Sequence, residues 1–292
     1  MKTALIAIVL IVIVGAGIYF VPKYFSGPAG QEQPTPPVTE QATTTERAAV
    51  EAIGKSVEER DITAYHYGTG ETELLFVGGI HGGYSWNTVL VAYELMDYLA
   101  ANPGAIPENI TVTVIPVLNP DGLNKIVGTA GRFEASDVPQ GSTVSGRFNA
   151  NNVDLNRNFD CEWQASGTWQ NTKVSGGSKA FSEPESAAIK AFIEAHKPSA
   201  AIVWYSAAGG VFASNCNEGV LPETLALTNA YAKASGYKAY ETFDFYSITG
   251  DMVNWFAKLE IPAISVLLTN HTDIEWEKNL KGIEALLKEY AE

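Results

Sequence analysis

The densest run of side chains able to do chemistry is Arg147-Phe148-Asn149-Ala150-Asn151-Asn152-Val153-Asp154-Leu155-Asn156-Arg157-Asn158-Phe159-Asp160. Two arginines and several amides on one stretch of loop make a donor-rich surface. A guanidinium grips a carboxylate through two parallel hydrogen bonds, so such a surface suits a carboxylate together with a polarised carbonyl. An internal Arg–Asp network that only braces the loop accounts for the same residues, and their chemistry alone leaves both readings open. Four histidines could move protons or hold a metal: His66, His81, His196 and His271. His66 falls in the strand-like Ala64-Tyr65-His66-Tyr67, and His196 closes a helical stretch before Lys197-Pro198, so both read as ordinary surface or capping histidines. Asp121, within Asn119-Pro120-Asp121-Gly122, reads as a turn residue bonding backbone amides.

The elements that must position these residues alternate in type. Residues 74–77 and 110–117 are continuous apolar or β-branched runs and read as buried strands, with a helix over 87–101 between them. Ser182-Glu183-Pro184-Glu185 has the S-x-x-E form of a capping box and opens a helix ending near His196. A strand at 200–205, helices near 222–234 and 251–258, a strand at 263–268 and a helix at 275–290 complete the pattern. Alternation of this kind predicts an α/β fold with a mixed, mostly parallel twisted sheet and helices on both faces. Ligand sites in such sheets collect at the carboxyl ends of strands, where the His81, Asn119, Ser206 and Asn270 clusters fall.

Residues 4–22 form a charge-free run of 19 apolar or small residues, long enough at ~1.5 Å per residue to cross a ~30 Å hydrocarbon layer. The sequence therefore predicts a transmembrane anchor over 1–24, with a cleaved signal peptide as the alternative. Residues 25–47 are rich in Pro, Thr and Gln and bury too little to fold, so they read as a linker. The domain then spans 48–292, single-pass and extracytoplasmic. The net charge of −14 argues against nucleic acid as a partner. In an exported chain Cys161 and Cys216 can pair as a disulfide; two buried thiols are the other reading, and their spacing fits no C-x-x-C zinc motif.

Val153-Asp154-Leu155-Asn156-Arg157-Asn158-Phe159-Asp160 resembles the signature of the zinc carboxypeptidases, the carboxypeptidase A/B-like metallopeptidases. Four further elements agree in order: Gly78-Gly79-Ile80-His81, the 119–122 segment, the 182–185 segment, and Tyr246-x-x-x-Gly250-x-x-x-Asn254-Trp255. The resemblance implies that Asn156 and Arg157 bind a peptide's terminal carboxylate and that Arg147 polarises the scissile carbonyl and holds its oxyanion. It further implies that Tyr246 closes over the substrate and that Val253 sits at the base of the specificity pocket, favouring an apolar C-terminal side chain. Zinc is the cofactor the family implies, and a peptide with a free C-terminus is the partner.

The metal positions depart from the family pattern. His81 is retained, but Tyr84 or Ser85 stands where a Glu ligand is expected, Tyr205 where the second His is expected, and Leu267 in place of the general-base Glu. Neutral Tyr or Ser is a poor zinc ligand and Leu accepts no proton. His271 is the nearest substitute, while Glu260 should face away. The sequence thus points to a carboxypeptidase-like domain that grips peptide C-termini with impaired catalysis. An active metallocarboxypeptidase with an unusual zinc site and a structural envelope module are the alternatives.

Overall fold

The computed structural model describes residues 49–217 and 219–291. The expected anchor (1–24) and linker (25–47) lie outside them, and no helix among the described residues is long and apolar enough to cross a membrane. In chain order the elements are β1 (Val50–Lys55), β2 (Asp61–Gly68), β3 (Thr72–Val77), α1 (Trp86–Ala101), β4 (Ile110–Ile115) and α2 (Pro120–Val127). There follow β5 (Ser166–Trp169), β6 (Thr172–Ser175), α3 (Pro184–His196), β7 (Ala200–Ser206), β8 (Gly210–Ala213) and α4 (Pro222–Ser235). Last come β9 (Lys238–Tyr240), α5 (Met252–Lys258), β10 (Ala263–Leu268) and α6 (Trp276–Glu289).

Eight strands form one sheet in the order β1-β2-β4-β3-β7-β10-β8-β9, and β5 with β6 makes a separate hairpin. The centre, β4-β3-β7-β10, is parallel, whereas β1 on β2, β2 on β4 and β8 on β10 run antiparallel. The sheet is therefore mixed, with its parallel character confined mainly to the strands that sequence patterning picks out. Those strands are apolar on both faces because both are covered. Leu74, Phe76, Ala200, Ile202 and Trp204 face α1, α4 and α6, while Leu75, Val77, Ala201, Val203 and Tyr205 face α3 and α5. The period of two along β7 thus delivers Tyr205 to the face that also carries Leu155 and Phe159 of the arginine-bearing loop.

Two local expectations are corrected. The 119–122 segment is not a free turn but the start of α2: Asn119 is its N-cap, accepting from Gly122 N at 2.8 Å, with Pro120 in the first turn. Asp121 consequently reaches back to the β1–β2 connection, accepting from Ser56 Oγ at 2.6 Å, Glu58 N at 3.0 Å and Arg60 Nη1 at 2.6 Å. At α3 no capping box forms; Glu183 is the N-cap without a side-chain cap bond. Asn158 does that work instead, its Oδ1 accepting from Glu183 N at 3.1 Å and from Ser186 Oγ at 2.5 Å. His66 is buried rather than a surface residue, whereas His196 stays partly exposed in the last turn of α3. They pack as parallel rings 5.9 Å apart beside Phe192, and His66 Nδ1 lies 2.8 Å from Thr113 Oγ1.

Candidate functional site

The carboxyl ends of β3, β7 and β10 open onto a cavity of about 390 Å³. His81, Tyr84, Arg147, Asn156, Tyr205, Tyr246 and Leu267 all line it, drawn from segments as much as 186 residues apart in the chain. Arg157, Ser85 and Val253 do not line it. Val253, 2 % exposed, is part of the apolar layer between α5 and the sheet, and Asp251 and Asn254 are the members of that segment that face the cavity.

A buried charge network occupies one wall. Arg147 donates from Nε at 2.9 Å and Nη2 at 2.7 Å to Asp154 Oδ2. The other oxygen of Asp154 accepts from Asn156 N at 3.1 Å and lies 3.3 Å from His81 Nε2. Burial pushes the Asp154 carboxyl up, but Arg147, His81 and Arg157 more than offset it and hold it well below the usual carboxylate range. Burial, reinforced by Arg147, brings His81 down to about 4, so the imidazole is neutral at pH 7. The Arg147 guanidinium also lies over the Trp169 ring at 4.4 Å and the Tyr84 ring at 5.6 Å.

The second arginine is held differently. Arg157, 1 % exposed, donates from Nε at 3.3 Å and Nη2 at 2.7 Å to Thr168 O, and from Nη1 at 2.6 Å to Asn156 O. Its partners are backbone carbonyls, and no carboxylate lies within 4 Å of it among the described residues. The β5–β6 hairpin can approach this closely because Gly167 has no side chain: a Cβ there would stand 2.8 Å from Arg157 Cδ. Tyr246, which lines the cavity, has its ring centroid 6.0 Å from the Arg157 Cζ. Asn156 Oδ1 accepts from Tyr205 Oη and Met252 N, both at 3.1 Å, which leaves Nδ2 as the group it can offer a ligand. Gly250 locks α5 against this loop; its φ is +66°, and a Cβ would meet Arg157 O at 2.5 Å.

A catalytic zinc needs about three protein ligands and an open position. His81 Nδ1 is buried without a hydrogen-bond partner among the described residues, as one ligand would be. The remaining donors do not fit. Tyr205 Oη is committed to Asn156, and burial raises its phenol well above the ordinary value. Tyr84 packs edge-on to Trp169 at 5.1 Å, burial again raising its phenol, while Leu267 offers no donor. His271 lines the same cavity but packs on the Tyr84 ring at 4.5 Å. Among the described residues no three His, Cys, Asp or Glu side chains are grouped to hold a metal ion.

Several wall-forming residues escape sequence reasoning. Trp169 and Gln170 come from the hairpin, whose two-residue Gln170-Asn171 turn between alternating residues was the available signal. Phe212, Phe243 and Phe245 come from β8 and the segment before Tyr246. Cys161 and Cys216 form a disulfide with Cα atoms 6.0 Å apart, tying the arginine loop to the chain after β8. Asn87, at the start of α1, accepts from Ser206 Oγ at 2.7 Å and donates to Asn270 O at 2.8 Å, joining the ends of β7 and β10.

A mixed sheet with an Asp-x-Asn-Arg-Asn loop and His81 at its carboxyl edge defines a metallocarboxypeptidase architecture. Residues 39–273 match the zinc carboxypeptidase family, and the chain belongs to it. Human carboxypeptidase D is 33% identical over 121 residues, covering 37% of this chain and 8% of that protein. The γ-D-glutamyl-L-diamino acid endopeptidase 1 of Lysinibacillus sphaericus is 24% identical over 226 residues, 70% of this chain and 56% of that protein. These matches thus span less than two thirds of the relatives' own length. Among solved structures, the murein-tripeptide amidase of Escherichia coli O157 aligns with a TM-score of 0.59 at 20% identity, covering 84% of this chain and 94% of that one. Carboxypeptidase A of Helicoverpa armigera gives 0.64 at 21% identity, covering 83% and 68%. At these identities the structural likenesses speak to fold.

Proposed function

We propose that this zinc carboxypeptidase family domain receives the free C-terminus of a peptide and does not hydrolyse it, on the outer side of a membrane to which residues 1–24 anchor it. The observation that carries this reading is Arg157, a buried guanidinium with no carboxylate within 4 Å among the described residues, set directly behind cavity-lining Asn156 and Tyr246. Buried charges are ordinarily paired, so a guanidinium satisfied only by carbonyls retains attraction for an incoming carboxylate. Rotation of Tyr246 off Arg157 opens the path. Hydrolysis has no such support: Tyr84, Tyr205 and Leu267 supply neither a zinc ligand set nor a base.

Titration calorimetry of one short peptide as its acid and as its C-terminal amide tests the reading. A murein tripeptide is a suitable second probe, given the name of one similar structure. The acid should bind at least about tenfold more tightly than the amide, with Arg157→Gln removing the difference. No shortened product should appear by mass spectrometry. Equal binding of acid and amide, or C-terminal trimming, contradicts it. The orphaned Nδ1 of His81 is the one observation favouring the second reading, an active enzyme with an unusual zinc site; trimming that depends on added zinc would establish that reading.

A further inference from the structure

The β5–β6 hairpin stands apart from the main sheet and is joined to the rest of the fold in two unlike ways. Its base is fixed by backbone and side-chain bonds: Ser175 O accepts from Asp154 N at 3.0 Å, and Gly176 O accepts from Asn158 Nδ2 at 2.6 Å and from Trp163 Nε1 at 2.9 Å. Its outer half is held lightly. Along the two strands Gly167, Trp169 and Val174 are buried, and the residues alternating with them face solvent. Trp169 stands edge-on to Tyr84 with the Arg147 guanidinium 4.4 Å from its ring centroid, and Val174 packs into the same small cluster. Among the described residues, the hydrogen bonds from residues 168–173 to the rest of the fold are the two that Thr168 O accepts from Arg157 Nε and Nη2.

That tie engages the group a carboxylate needs. The Arg157 hydrogen bonds among the described residues go to Thr168 O and Asn156 O, and Arg157 does not line the cavity. Rotation of Tyr246 alone therefore uncovers a guanidinium whose donors are already taken. Bonds from a guanidinium to a carboxylate are shorter than those to a neutral carbonyl and roughly twice as strong, so an entering carboxylate outcompetes Thr168 O. The displaced carbonyl can turn to water, because Thr168 is exposed. A two-stranded hairpin is at best marginally stable by itself in water, so the outer half loosens once this tie is gone.

We infer that the β5–β6 hairpin is a latch on the carboxylate site: closed, its Thr168 carbonyl holds Arg157, and an arriving carboxylate takes over Nε and Nη2 so that the outer hairpin lifts off Tyr84 and Arg147. The inference rests on reading the site as a receptor for peptide C-termini. A closed latch divides the intrinsic affinity by the inverse of the fraction open, so weakening the latch tightens binding, whereas weakening a fixed wall would not. Val174 is outside the cavity wall, and Val174→Thr keeps the β-branched shape while putting a hydroxyl into the apolar cluster that the closed hairpin forms. Full-length protein would be titrated by calorimetry with one short peptide as its acid and as its C-terminal amide. V174T should bind the acid at least about threefold more tightly than wild type does and the amide within about twofold of it. Hydrogen exchange read by mass spectrometry over residues 166–175 of the wild type should quicken at least about fivefold on saturation with the acid and stay unchanged with the amide. Thermal melting establishes that the variant is folded; if it is not, the exchange measurement decides alone. Exchange that bound acid leaves unchanged or slows, or folded V174T that binds the acid no more tightly, overturns the latch; a preference for acid over amide then leaves the C-terminus reading standing. Acid and amide that bind equally and both quicken the hairpin do the reverse. No binding of either peptide to either protein overturns both.

Discussion

Replacing Asp154 by Asn tests the buried network on which the site is built. The Asp154 side chain is 0 % exposed and that of Arg147 3 %. Removing one partner of a buried ion pair costs about 3–5 kcal/mol because the other charge is left uncompensated. Asn keeps one oxygen for the Arg147 guanidinium and loses the bond that the other oxygen accepts from the Asn156 amide, which places the expected cost near the lower end, about 3 kcal/mol. In a domain of this size that corresponds to a Tm lower by roughly 6–12 °C. Urea denaturation and thermal melting at pH 7 would measure it. Asp154→Leu with Arg147→Met should cost less than the sum of the two single changes, since removing both charges leaves neither stranded. A D154N cost below about 1 kcal/mol, or strict additivity in the double variant, would refute the argument that this wall is held by a desolvated ion pair.

Three further outcomes follow from the geometry. His81 falls to about 4 in the folded chain from its unperturbed 6.5, so the unfolded chain takes up its proton first; its contribution is intact above pH ~6.5 and drains by up to about 3 kcal/mol as pH falls to 4. Asp251, raised to about 6, acts oppositely over nearly the same window, the folded state gaining its proton first. These two contributions should therefore nearly cancel from pH 6.5 to 4, so D251N should lose more stability there than the wild type; equal losses by denaturant titration would contradict this. Reducing the Cys161–Cys216 bridge, which spans a separation of 55 residues, should cost about 2–4 kcal/mol, read as a lower Tm with and without a thiol reductant. Gly167→Ala should destabilise the domain by about 1–3 kcal/mol through the close approach to Arg157, and an unchanged melting curve would count against that contact.

The central strands and the covering helices were legible because burial on both faces demands continuous apolar runs such as 74–77 and 200–205. Edge strands β1 and β9 were not, since their half-exposed residues carry no such run, and neither was β8, which is buried but only four residues long. The run at 147–160 located the arginines but not their surroundings. Whether Arg157 faces ligand or backbone depends on the β5–β6 hairpin crossing it, a tertiary fact with only the absent side chain of Gly167 as its trace. Val253 leaves its expected place at the pocket base, and Asp251 lines the cavity, for a similar reason. Helical phase turns the apolar residue into the core and leaves the N-cap carboxylate facing the cavity. The departures at Tyr84, Tyr205 and Leu267 could be read at once, because the chemistry of a donor set is written in residue type. Membership of a fold family does not restore it.

Zinc content bears most directly on the central claim, that this carboxypeptidase-family domain keeps a C-terminus receptor and lacks a catalytic metal site. The protein would be stripped with chelator, reloaded with excess zinc, dialysed and assayed by atomic emission. Less than about a tenth of an equivalent should be retained, with no difference between wild type and His81→Gln. Retention near one equivalent that disappears in H81Q would contradict it.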